Sequence, residues 1–333
     1  MSSRLRLNLI NAIAAAAAVT ASLAIGIAFE ASAPAVHLPS PATGLVDLPV
    51  SACTHGEVPC RGLFDAAGTP VAVRHFTRIA SGNVVADGLL LALAEPNRIA
   101  AFSPYAHELF DNHRFVGPPH LSALEDVEGL LGLRPDLFVI SSMSDRNHVR
   151  RMRDAGIAVF DLGPMEGLST LSGNITTVSL LLGFPERGQA LYQRVQERLA
   201  SLARGGQRSW RALYIGIHGD KMYGGTVGSS LHDVIVSAGL VDAAADKFRG
   251  WPGYTHEDLL GINPDVILTQ TGMATKLCGH PGLDQLLACK TPNRVIELPS
   301  ALLTDPGLTV VDAAEAVASI IAQRGAPLAA PVP

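Results

Sequence analysis

Aromatic side chains are scarce in this chain, with 2 Trp, 5 Tyr and 10 Phe among 333 residues. That excludes a surface paved with rings for stacking successive bases. Positive charge is also in short supply. Lys and Arg number 25 against 30 Asp and Glu, for a net charge of −5, and the body carries no sustained basic cluster, so the electrostatic footprint of a nucleic-acid or anionic-membrane binder is missing. Signatures of catalysis are missing as well. There is no G-x-S-x-G elbow, no Walker loop and no G-x-G-x-x-G at a strand–helix junction, and YGGTVGSS lacks the lysine of a phosphate loop. Ser229 and Ser230 stand beside His232, but neighbours on one helix point apart, so no triad is assembled by sequence. The 11 histidines include no H-x-x-H or H-x-x-x-H pair that would share one helix face, so neither a metal centre nor another cofactor is expected.

What is present is apolar. Hydrophobic residues make up 48% and charged residues 17% of the chain, enough for a packed core in one large or two medium domains. Arg4 and Arg6 precede an apolar run over 12–29, followed by Ala31, Ser32 and Ala33. This is the order of a secretory signal peptide, assigned to 1–33, and it places the mature protein in the periplasm. The rival reading is an uncleaved anchor, because the run could nearly span a bilayer. Val50-Ser51-Ala52-Cys53 spells a lipoprotein box but lies far beyond the apolar run, which argues against lipidation. Export changes the meaning of the four cysteines. They fall into two local pairs, Cys53 with Cys60 and Cys278 with Cys289, and an oxidising compartment favours two disulfides over four free thiols.

A Pro-rich linker (38–49) leads into a hairpin over 63–73 that turns at Gly68. Strands near 78–81, 98–102, 137–141 and 159–162 alternate with helices over 84–94 and 148–155 and one before Pro135. From 167 to 204 the pattern is helical throughout, with Pro185 opening the amphipathic PERGQALYQRVQERLASLAR. Alternation then resumes, with strands at 212–217, 266–270 and 294–298 and helices at 229–239, 255–262 and 310–324. The fold class is α/β: two lobes with parallel sheets, joined by one long rigid helix, with a ligand cleft between them. The expected divisions are an extension over 34–70, a first lobe over 71–166, a helical connector over 167–205 and a second lobe over 206–326.

Two stretches repeat. EGLLGLRPDLFV (128–139) and EDLLGINPDVIL (257–268) agree at six of twelve positions. Asp126 and Thr255 each stand two residues before the repeated glutamate as N-caps. The Leu-Leu positions bury one helix face, and Pro135 and Pro264 end the helix ahead of an apolar strand.

With RIASGNVVADGLLLAL, EGLLGLRPDLFVIS, the helical middle and GWPGYTHEDLLGINPDVILTQTG, the body from about 71 to 324 resembles the substrate-binding protein of an ABC importer. The class it resembles has a helical backbone and serves ferric siderophores, vitamin B12 and haem. The resemblance implies a monomer with a nearly pre-formed interlobe cleft. It also implies a permease dimer as partner, with Glu128 and Glu257 docking on permease arginines. Each glutamate would equally stabilise its own helix dipole by about 0.3–1 kcal/mol. Loops at the carboxyl ends of the strands, where open α/β sheets bind ligands, give Asn83, Tyr105, His107, Met143, Asp145, His218, Tyr223, Trp251, Tyr254 and Gln270 as ligand-binding residues. Trp251 matches the position of an aromatic that packs on the corrin in the vitamin B12 protein, and it could equally fill a surface groove. Haem binders of the class usually carry a Tyr shortly before the first-lobe glutamate. Here VGPPHLSALEDVE has no Tyr, and within it only His120 could substitute as an axial ligand. Arg146, Arg249 and Lys276 are candidates for an anionic ferric siderophore. The expected ligand is a ferric siderophore or a corrinoid, with haem or a free transition metal as alternatives; a ligand sensor without transport is the alternative role.

Overall fold

The computed structural model describes residues 38, 44–53, 59–106, 120, 121, 123, 126–205 and 209–323; the signal segment and His107 lie outside the described residues. The first three strands are β1 (Val46–Asp47), β2 (Arg61–Phe64) and β3 (Pro70–Ala72), which form an antiparallel sheet in the order β1-β2-β3. The expected turn sits at Gly68, whose φ of 77° suits a residue without Cβ. The Cys53–Cys60 disulfide closes the loop before β2, with Cα atoms 5.6 Å apart. Arg153 joins this sheet to the first lobe through a 2.8 Å ion pair with the buried Asp65.

The first lobe is built from β4 (Ile79–Ser81), α1 (Val84–Leu93), β5 (Ile99–Ala101), α2 (Val127–Gly132), β6 (Leu137–Ile140), α3 (Arg146–Asp154) and β7 (Ala158–Asp161). Its sheet is parallel, in the order β5-β4-β6-β7. Two helices follow, α4 (Leu168–Leu182) and α5 (Pro185–Arg204). The helical run breaks at Gly183, which caps α4 with φ 80°, and Pro185 then starts α5 where its missing N–H costs nothing.

The second lobe holds β8 (Arg211–Tyr214), β9 (Gly216–His218), β10 (Lys221–Tyr223), α6 (Ser230–Ser237), β11 (Val241–Asp242), β12 (Gly253–Tyr254), α7 (His256–Ile262) and β13 (Val266–Gln270). It continues through α8 (Ala274–Cys278), α9 (Leu287–Lys290), β14 (Val295–Leu298), α10 (Ser300–Thr304) and α11 (Thr309–Gln323). The parallel sheet reads β11-β8-β13-β14. Within each lobe the strands therefore run second, first, third, fourth, so the two lobes share one topology.

The repeated stretches occupy equivalent places in the two lobes. Asp126 accepts the Gly129 amide at the head of α2, and Thr255 forms a reciprocal capping box with Asp258 at the head of α7. Arg134 (φ 49°) and Asn263 (φ 40°) both take the left-handed conformation just before the shared proline. The Asp136 carboxylate accepts the Arg78 amide at 2.9 Å, and Asp265 accepts that of Arg211 at 2.8 Å. Each aspartate amide donates back to the carbonyl of the same arginine at 2.8 Å. The guanidinium of Arg78 reaches the Leu133 carbonyl, and that of Arg211 the Ile262 carbonyl. An aspartate after the proline thus pins the third strand of each lobe against the first.

Helix α5 has 20 residues and so spans about 30 Å at 1.5 Å per residue. It is anchored near both ends. Arg187 donates to the Leu93 carbonyl of α1 at 3.0 Å, and Arg198 binds Glu315 of α11 at 2.6 and 2.8 Å and also contacts Asp312. These hydrogen bonds to Glu315 hold the Arg198 guanidinium firmly protonated. One apolar core runs through both lobes, from Phe76, Ile79 and Leu89 through Leu171, Ile175 and Val195 to Tyr214, Ile235 and Val317.

Candidate ligand cleft

Three of the sequence-derived ligand residues converge. Asn83, Tyr105 and Met143 line a cleft of about 440 Å³, together with Gly82, Val84, Ser141, Ser144, Met165, Ser300 and Thr304. Ser300 and Thr304 come from α10 of the second lobe, so the cleft has walls from both lobes. Its volume falls in the usual range for small-molecule sites. Among the described residues no charged side chain lines it. Tyr105 is 49% and Met143 84% exposed, large apolar groups open to solvent where a ligand could cover them.

Asn83 holds the floor. Its Oδ1 accepts the Ala86 amide at 2.9 Å and caps α1, while Nδ2 is buried and has no hydrogen-bond partner among the described residues. An unpaired buried amide donor is costly unless an acceptor arrives. Behind it, Asp87 accepts from the Ser103 amide at 3.0 Å and from its hydroxyl, and burial pushes this carboxyl up from its ordinary value.

Ser141 and Ser144 also border a second groove, of about 690 Å³, between the Ala66–Ala67 turn and α3. Arg146, Arg150 and Arg153 line it at positions i, i+4 and i+7 of one helix face. Arg153 is taken by Asp65, and Arg150 donates to Asn147 at 2.9 Å. Of the three cationic candidates, Arg146 therefore borders a groove that adjoins the cleft. Arg249 instead donates to the Ala245 and Phe248 carbonyls, and Lys276 to the Gly219 carbonyl at 3.0 Å.

The remaining predicted ligand residues that are among the described residues do not line this cleft. The Asp145 carboxylate caps α3 by accepting the Asn147 and His148 amides, which hold it below the usual carboxylate range. His218, Tyr223 and Tyr254 belong to a small antiparallel sheet in the order β12-β10-β9, a feature the alternating pattern did not announce. Pairing of β12 with β10 turns exposed Gly253 outward and Tyr254 inward. Tyr254 packs edge-on to Phe248 at 5.3 Å, and burial raises its hydroxyl pKa. Tyr223 meets Tyr214 edge-on at 6.3 Å, Gln270 ends β13 half-buried, and Trp251 stands 55% exposed. His120, the expected haem substitute, is exposed and pairs in a bridge with Phe102. Conversely, sequence reasoning missed Met165, Ser300 and Thr304. The available signal was that Ser300 follows β14 after Pro299, at the carboxyl end of a parallel strand.

No triad is formed at His232. Its Nδ1 lies 2.8 Å from Asp242, but the Ser229 hydroxyl is buried without a hydrogen-bond partner among the described residues. Glu128 and Glu257 are both exposed in the first turns of α2 and α7.

Residues 79–302 match the family described as periplasmic binding protein. The chain belongs to that family. A curated relative, the ABC transporter substrate-binding lipoprotein YvrC of Bacillus subtilis strain 168, is 24% identical over 208 residues, or 59% of this chain. The match spans 65% of that relative's length, just under two thirds. Among solved structures, the periplasmic heme-binding protein RhuT from Roseiflexus sp. RS-1 is 22% identical with a TM-score of 0.64, covering 73% of this chain and 98% of its own. A possible iron-binding (periplasmic solute-binding) protein from Staphylococcus epidermidis is 14% identical with a TM-score of 0.65, covering 74% of this chain and 99% of its own. At these identities the structures establish the shared fold: two lobes, a helical connector and the cleft between them.

Proposed function

We propose that this protein is the extracytoplasmic solute-binding component of an ABC importer, and that it captures a bulky iron-siderophore or cobalamin-type ligand and delivers it to a membrane permease. The observation that carries the reading is the cleft itself: walled by both lobes, rimmed by exposed Tyr105 and Met143 and, among the described residues, without a charged side chain and floored by an Asn83 amide that has no partner. Such a surface suits a large chelate bound by packing and a few directed hydrogen bonds. Helix α5, anchored at both ends, favours small closure over engulfing. An anionic siderophore would find Arg146 in the adjoining groove. The protein acts by binding rather than by turnover.

In this reading residues 1–33 direct export, 71–166 and 206–326 form the lobes, and 167–205 connect them. Glu128 and Glu257 dock on the permease, one carboxylate per lobe. Lipidation at Cys53 does not fit, because its sulfur is bonded to Cys60. Among the described residues no helix is long and apolar enough to cross a membrane.

Haem is the second reading. Exposed Tyr105 in the cleft offers a phenol oxygen, a group that can ligate haem iron, and RhuT is named as heme-binding. Calorimetric titration with ferric siderophores, cobalamin and hemin separates the readings. The proposal expects a siderophore or corrinoid to bind, with Asn83→Asp weakening it by about 1–3 kcal/mol through loss of the Nδ2 donor while the helix cap is kept. Binding of hemin alone, lost in Tyr105→Phe, selects the second reading. If none binds while Zn²⁺ or Ni²⁺ binds tightly and requires His107 or His218, both readings fall.

A further inference from the structure

We propose that His256 and His280 form a two-histidine site for a borderline divalent transition metal such as Zn²⁺, Ni²⁺ or Cu²⁺ on the surface of the second lobe, apart from the ligand cleft. Nε2 of His256 lies 3.0 Å from Nδ1 of His280, with ring centroids 4.5 Å apart and planes inclined by 38°. Two imidazole nitrogens on one ion at about 2.0–2.1 Å stand about 2.9–3.4 Å apart for coordination angles between square and tetrahedral. A metal can therefore take the place of the hydrogen bond between the rings with little movement. Neutral imidazole is a favoured donor for these ions.

Both backbones are held in place before any metal arrives. His256 opens α7 within the Thr255–Asp258 capping box, in which Thr255 accepts the Asp258 amide at 3.1 Å and donates its own amide to the Asp258 carboxylate at 2.9 Å. His280 sits in a tight turn, with its amide donating to Leu277 and its carbonyl accepting from Leu283. The Cys278–Cys289 disulfide fixes the chain two residues before it. Sequence spacing could not reveal the pair, since 24 residues separate the two histidines.

Among the described residues no carboxylate forms an ion pair with either ring, and no group of three or more His, Cys, Asp or Glu could hold a metal. The other coordination positions thus go to water or to a docked molecule. His256 adjoins Glu257. Where the docking reading holds, a bound dication would offset that carboxylate and weaken attraction to a cationic partner; this consequence rests on that reading, whereas the site does not.

Equilibrium dialysis of the untagged full chain against Zn²⁺ tests the site. Wild type should retain one equivalent that His256→Gln and His280→Gln each weaken by about tenfold or more, while His75→Gln leaves it unchanged. With Cu²⁺, electron paramagnetic resonance should show two coordinating nitrogens in wild type and one in either variant. No retention by wild type, loss in only one variant, or two nitrogens persisting in both overturns the proposal. Each outcome is read without ligand or permease.

Discussion

Asp305 is only 2% exposed where α10 passes into α11. It accepts the Gly307 amide at 2.7 Å, yet burial, reinforced by the charge of Asp87, pushes its carboxyl up to about 6. Burial also raises Asp233 to about 6 against the Leu168 amide it accepts at the head of α4. A raised carboxyl binds its proton more tightly folded than unfolded, so stability falls as pH rises from the ordinary value of 3.8 to about 6. Asp305→Asn keeps an acceptor for Gly307 and removes the charge. Denaturation midpoints should then decline less between pH 4 and pH 6 than in wild type, and an equal decline would contradict the assignment. At this scale the sequence was legible where the physics is short-range. The caps at Asp126 and Thr255 act across three residues and could be read directly. Burial of Tyr254 and Asp305 depends on distant chain segments, and no local pattern announces it.

Among the elements, the approach of α4 to α5 turns on one residue. A Cβ at Gly188 would lie 2.2 Å from the Ser179 hydroxyl oxygen and 2.4 Å from its Cβ. Alanine would favour the helix by about 1 kcal/mol, but overpacking costs about 1–3 kcal/mol. Gly188→Ala should therefore lower the melting temperature, and a rise would show that the helices can part. The disulfides are the second test. They close separations of 7 and 11 residues, so each should stabilise by about 2–3 kcal/mol on the loop-entropy account. Alkylation under denaturing conditions should find no free thiol, and reduction should lower the melting temperature while both lobes stay folded. Two or more titratable thiols would refute the pairing. The long elements were legible because their periodicity is strong. The strands β10 and β12 were not, because two or three residues carry no period and their pairing is set by the partner strand.

For the whole molecule, the repeat read from 128–139 and 257–268 proved to mark equivalent positions in two lobes of identical strand order. That much was legible because helix, proline, aspartate and strand are contiguous. The cleft was legible only in part. Asn83, Tyr105 and Met143 follow first-lobe strands and line it, whereas Ser300 and Thr304 reach it through packing of α10 across the lobe boundary. If Glu128 and Glu257 dock on a permease, reversing both to Lys should abolish uptake and leave ligand affinity unchanged, since rim charges govern association rather than the distant cleft. Equal loss of affinity would count against docking.

The most direct test of the central claim is native mass spectrometry of the protein purified from its own compartment with its ligand still bound. The account predicts one added mass matching an iron chelate or corrinoid, absent from an Asn83→Asp, Tyr105→Ala variant. A protein that carries no such mass in cells using the ligand, or that keeps it in the variant, would contradict the account.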